Sequence, residues 1–117
     1  MTIEEFYAKL GTDYGALKQR LASEKLIKRL LGKYPNDKNY GLLCEGVKEN
    51  DHEKVFTAAH TIKGVALNLG FDRLQAAASE MSEAYKKKQY DRTQEMFEKI
   101  KAAQQEVVDG ISQLDLS

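Results

Sequence analysis

Apolar side chains recur at spacings of three and four along almost the whole chain, and a single proline, Pro35, interrupts them. That period belongs to an α-helix with one buried face, whereas strands would need alternation and β-branched runs that are scarce here. The pattern therefore predicts an all-α protein. A hydrophobic content of 42% over 117 residues is ample for one core. A chain of this size buries roughly two-thirds of its unfolded surface without a disulfide or a metal. We expect one domain spanning residues 1–117.

Cap and turn residues divide the pattern into seven segments. Thr2-Ile3-Glu4-Glu5 has the form of a capping box ahead of Ile3, Phe6, Tyr7 and Leu10, and Gly11 closes that helix. A second helix begins after Thr12 or Asp13 and carries Tyr14, Leu17 and Leu21. The apolar phase then shifts, so the pattern breaks at Ala22-Ser23, and Ser23 caps a third helix that stops before Pro35. Asn36 or Asp37 is expected to cap the fourth, with the stripe Tyr40, Leu43, Cys44 and Val47. Asn50-Asp51 introduces the fifth, the most regular, with Val55, Ala59, Ile62, Ala66 and Leu69 on one face and Gly70 at its end. The sixth runs from about Asp72 to the lysines 86–88 with Leu74, Ala78, Met81 and Tyr85 inward. Asp91 is expected to cap the seventh, which carries Met96, Phe97, Ile100, Ala103, Val107, Ile111 and Leu114. Short connections predict an up-and-down antiparallel bundle: a four-helix core with additional short N-terminal helices.

Eighteen Lys plus Arg balance eighteen Asp plus Glu, so no overall field favours nucleic acid. The acidic start, Met1-Thr2-Ile3-Glu4-Glu5, is unlike a signal peptide, and no stretch is apolar enough to span a membrane. A lone Cys44 excludes an internal disulfide and fits a reducing cytoplasm. The expectation is a soluble, cytoplasmic monomer, with the initial Met1 favouring a free-standing protein.

Two histidines are the candidates for chemistry. His52 falls in the first turn of the fifth helix between Asp51 and Glu53, where an exposed imidazole needs no function. His60 differs. At about 100° per residue from Val55, the core stripe lies within roughly 40° of zero while His60 lies near 140°. Phe56, Lys63 and Leu67 fall between about 80° and 120°, and Gly64 near 180°. His60 therefore stands outside the core, beside two large apolar side chains and one ammonium. Helical side chains lean toward the N-terminus, so a side chain at 64 would lie over the imidazole, and Gly64 removes it at a helix-propensity cost of roughly 0.5 to 1 kcal/mol. An ordinary imidazole titrates near about 6.5, so at cytosolic pH it is largely neutral and offers a nucleophilic nitrogen. A phosphoryl group there would be held by Lys63 and left uncrowded by Gly64.

The run Ala59-His60-Thr61-Ile62-Lys63-Gly64, continuing to Asn68-Leu69-Gly70, resembles the histidine-containing phosphotransfer (HPt) domain of multistep phosphorelays. The close match covers about residues 51 to 85. The resemblance implies a helical bundle that takes phosphate on the histidine from an aspartyl phosphate of a receiver domain and returns it to another receiver. It implies His60 as phosphoacceptor with Lys63 and Gly64 beside it and no cofactor of its own. Phe56 and Leu67, large apolar groups outside the core stripe, are expected to dock the receiver together with Ser82 of the next helix. Two departures stand out. Val65 follows the glycine where many members have serine or alanine, and Ser82 occupies the position where many place a glutamine near the imidazole.

Other chemistries fit poorly. A metal bundle needs Glu-x-x-His strings on two facing helices, but both histidines fall on one helix about 12 Å apart; no Gly-rich nucleotide loop is present, and Cys44 reads as a small core residue, so a cysteine hydrolase is disfavoured. The alternative of a different class is a helical adaptor, or a degenerate HPt, that binds receivers through Phe56 and Leu67 without carrying phosphate.

Overall fold

The computed structural model describes residues 1–116. Among these, α-helices run over Ile3–Leu10 (α1), Tyr14–Leu21 (α2), Glu24–Lys33 (α3), Asn39–Glu49 (α4), His52–Leu69 (α5), Asp72–Lys86 (α6) and Thr93–Ser112 (α7), with no strand. Helices α4 to α7 form the up-and-down bundle, each packed on the next and α4 closing on α7. Their inward stripes meet in one core that includes Leu43, Val55, Ile62, Met81, Ile100 and Val107.

Local chemistry sets most boundaries. The capping box of α1 is complete, with Thr2 Oγ1 accepting from Glu5 N and Glu5 Oε1 accepting from Thr2 N, both at 3.1 Å. Ser23 caps α3 and Asp51 caps α5, each through its side-chain oxygen, and Gly11 and Gly70 end α1 and α5 in the left-handed conformation. The third helix stops before Pro35 as expected, and two later boundaries differ. A 3-10 turn, Tyr34–Asn36, carries the chain through Pro35, because proline without an N–H fits the first positions of such a turn. Asp37 does accept the Asn39 amide at 2.8 Å, but Lys38 is the residue at the start of α4. Asp91 does not cap α7. That helix starts after Arg92, because Lys88 turns left-handed (φ 57°) and the Thr93 hydroxyl, bonded to Tyr90 O at 2.8 Å, ties up the intervening loop.

The three N-terminal helices cover the α5–α6 end of the bundle. Tyr7 is fully buried and its hydroxyl donates to Leu69 O at 2.7 Å, while Thr12 donates to Gly70 O at 2.7 Å. Burial pushes the Tyr7 phenol well above its usual range, as it does that of Tyr34, which packs edge-on against Phe71 at 5.0 Å. The α5–α6 turn is thereby fixed, and with it the angle at which α5 presents its outer face. Cys44 is only partly buried, on the margin of α4 rather than in its core stripe.

Candidate functional site

The buried side of α5 is Val55, Ala58, Ala59, Ile62, Ala66 and Leu69. Ala58 extends that side beyond the expected stripe because α4 packs there, where Lys54 one turn earlier pairs with Glu49 at 2.8 Å and Glu45 at 3.7 Å on α4. Everything opposite is left to solvent or to the edges of neighbouring helices.

His60 lies on that open side and is exposed. Its ring stacks on Phe56 one turn earlier, with centroids 5.8 Å apart and planes inclined by 17°. No other side chain among the described residues engages the imidazole, and neither ring nitrogen has a hydrogen-bond partner there. A Cβ built at Gly64 would meet nothing within 4 Å, so the space over the ring is open. Lys63 is partly buried and makes no ion pair among the described residues, which leaves its ammonium free for an incoming anion. Thr61 is different, because its hydroxyl donates to Thr57 O at 2.9 Å within the helix.

The structure thus brings Phe56, His60, Lys63 and Gly64 together, with Leu67, 51% exposed, at the C-terminal edge of the same face. Phe56 is not a free patch residue. It is half-buried and packs one side on the core while offering the other to His60. Ser82 requires a correction. It follows Ala78 by one turn on the buried stripe of α6, is only 2% exposed, and donates to Ser79 O at 3.2 Å, so it neither docks a partner nor reaches the imidazole.

Two features were not visible in the sequence. Arg20 of α2 donates to Leu67 O at 3.0 Å and Asn68 O at 3.3 Å, capping the free carbonyls at the end of α5. No local signal announces a bond across 47 residues. His52 is partly buried rather than merely exposed: its ring stacks on Tyr90 at 3.7 Å, meets Tyr85 edge-on at 5.8 Å, and its Nε2 lies 3.2 Å from Asn50 Oδ1. Its proximity to Asn50 was legible, but the tyrosines arrive from α6 and the loop beyond it. Among the described residues, no group of three His, Cys, Asp or Glu side chains converges to hold a metal ion.

Fold and site together define a helical-bundle domain that holds a solvent-facing histidine on its most regular helix. A family model described as the Hpt domain matches residues 3–115, essentially the whole chain, and the chain belongs to that family. Hpt domains are phosphotransfer intermediates of two-component relays that interact with receiver domains. Comparison with curated proteins and with solved structures returned no match. No helix among the described residues is long and apolar enough to cross a membrane.

Proposed function

We propose that the chain acts as one phosphocarrier domain, accepting a phosphoryl group on His60 from a receiver aspartyl phosphate and passing it to a second receiver. The observation that carries this reading is an exposed imidazole, stacked on Phe56 and without a hydrogen-bond partner among the described residues, with a free ammonium at i+3 and open space at i+4. In the forward step the lone pair of the unprotonated ring nitrogen attacks phosphorus. The N–P bond forms as the acyl O–P bond breaks, the aspartate leaves as carboxylate, and the proton stays on the other ring nitrogen. Lys63 offsets the charge that arrives, and Gly64 leaves room for in-line approach. Delivery to the second receiver reverses these bonds. The receiver supplies its aspartate and Mg²⁺, so this chain contributes a nucleophile and its surroundings rather than a complete catalytic centre. The reading carries with it a cytoplasmic, monomeric protein without a cofactor of its own.

The test is transfer from a radiolabelled phospho-receiver. The expected product is acid-labile, alkali-stable phosphate that disappears in His60→Gln and persists in His52→Gln. Receiver binding without any labelling of the parent chain would instead establish the adaptor.

A further inference from the structure

The chain is neutral overall, but its charge is not evenly spread. Between Tyr14 and Tyr34 six cations, Lys18, Arg20, Lys25, Lys28, Arg29 and Lys33, face one carboxylate, Glu24. That segment, α2 with α3, carries +5, and the rest of the chain therefore carries −5. None of the six forms an ion pair among the described residues, whereas the cations that do, Lys54, Arg73, Arg92 and Lys99, all belong to the α4–α7 body. Glu24 itself accepts from Tyr14 Oη at 3.1 Å. Five of the six are exposed, with Lys28 partly buried.

Helix electrostatics do not explain this arrangement. Lys33 suits the C-terminal end of α3, but Lys25 sits in its first turn, where a cation opposes the dipole. Lys25 to Arg29 and Arg29 to Lys33 are like-charge pairs at i,i+4, which are unfavourable. Repulsion retained on the surface calls for a counter-charge from outside.

Position identifies the partner. Arg20 anchors the C-terminal end of α2 to the Leu67 and Asn68 carbonyls. The cationic segment thus meets α5 at the exposed Leu67, beside Asp13 and Asp72 and seven residues or about 10 Å along α5 from His60, with α3 continuing away from that contact. On the other side of His60 the α4–α5 junction carries Glu49, Asp51 and Glu53 together with Lys48 and Lys54, and Glu49 is paired with Lys54. Charges of both signs thus meet at the His52 end of α5, whereas the excess of unpaired cations lies on the segment that joins its other end. A receiver that holds Mg²⁺ beside its aspartate carries further carboxylates around that ion, so the surface it brings to His60 is rimmed with acid. A membrane is the poorer fit, because the apolar anchors of α3, Ile27 and Leu31, are buried in the core.

We infer that α2 and α3 form a cationic docking flank that draws the acidic rim of a receiver domain to the C-terminal side of His60, and so fixes the direction in which the receiver lies across α5. The inference rests on the carrier reading, and the experiment keeps the two apart. Two triple variants with equal charge change are compared: K25E/K28E/R29E on the flank, and K86E/K87E/K88E at the opposite end of the bundle. The donor is an isolated receiver domain charged with acetyl phosphate, and a parallel assay uses phosphoramidate as a small donor that needs no docking. At low salt the flank variant should lose about tenfold or more in the second-order rate of transfer, with its saturated rate unchanged and the loss shrinking as salt is raised. The opposite-end variant should change by less than about threefold, and phosphoramidate should label His60 equally in all three. If neither donor labels the parent, the carrier reading fails. If phosphoramidate labels the parent but the flank variant keeps the parental receiver rate, or loses no more than the opposite-end variant, the docking flank is overturned. Unchanged transfer with lost binding to phosphatidylserine vesicles overturns it too, in favour of a membrane. Should the flank variant unfold, K25Q/K28Q/R29Q removes half the charge change and is expected to give the smaller loss in the same direction.

Discussion

His52 and His60 lie on one helix, eight residues apart, in opposite surroundings. His52 has Phe56 at i+4, Val55 at i+3 turned into the core, and Tyr90 and Tyr85 closed over its ring. His60 has Gly64 at i+4, Lys63 at i+3, and one aromatic neighbour, Phe56, on its N-terminal side. Phe56 is shared. It follows the first imidazole by one turn and precedes the second, and its ring stacks on His60, whereas His52 is covered by Tyr90 and Tyr85. Exposure of an imidazole is therefore decided less by its own position on the helix than by what other elements lay upon it.

The sharpest way to break this comparison is to open His52. In His60→Gln, labelling from a phospho-receiver should fall to background, and it should stay there in His60→Gln/Tyr90→Ala, where the stack over His52 is gone. Without an ammonium at i+3 and with Phe56 at i+4, an uncovered His52 still lacks what phosphoryl transfer needs. Labelling regained in the double variant would show that cover alone separates the two. The next effect concerns the open space itself: Gly64→Gln should keep its helicity and a melting temperature at or above the parent's, yet slow transfer by about tenfold or more as the side chain leans over the ring. Parental rates in that variant would remove the role assigned to Gly64.

Much of α5 was legible from local chemistry. Its cap Asp51, its terminal Gly70, its core stripe and the outward angle of His60 all follow from spacing within the helix. What escaped is whatever depends on a second element. Likeness of position puts Ser82 near the imidazole, but the stripe through Ala78 and Met81 turns it into the core. The start of α7 escaped because a left-handed Lys88 and a Thr93 hydroxyl, rather than the acidic Asp91, set the loop. The closure of His52 escaped because Tyr85 and Tyr90 are more than thirty residues away in sequence. Periodicity states which face is outward; it does not state what another helix lays upon it.

Stability effects are smaller and separate the regions by sign. Gly110 lies on α7 where an added Cβ would come within 2.6 Å of the buried Phe6 ring, so Gly110→Ala should destabilise by about 1 to 3 kcal/mol in denaturant unfolding. His52→Ala should cost about 0.5 to 1.5 kcal/mol through loss of its stack on Tyr90. His60→Ala should stay within about 0.5 kcal/mol of the parent, because the exposed ring supports little. Equal losses at the two histidines would show that the contrast in packing has no energetic content.

The smallest effect is the most discriminating, because it asks why α5 tolerates a glycine at all. Gly46 answers for itself: an added Cβ would meet Val55 Cγ2 at 2.9 Å and the Val55 amide nitrogen at 3.0 Å, so close approach of α4 to α5 requires it. Gly64 meets nothing within 4 Å, and no contact in the chain needs it. Gly41 on α4 is equally open, so empty space alone marks no site; Gly64 is distinguished by standing one turn beyond His60. Helix propensity then predicts that Gly64→Ala stabilises by about 0.5 to 1 kcal/mol, a rise of a few degrees in melting temperature. Gly46→Ala should lower it through overpacking. A single methyl group at 64 intrudes less than a glutamine, so transfer should fall between the parent and Gly64→Gln. If Gly64→Ala is more stable and transfers at the parental rate, the glycine is explained by neither packing nor access, and the reason for the open turn must be sought in the partner's surface rather than in the imidazole.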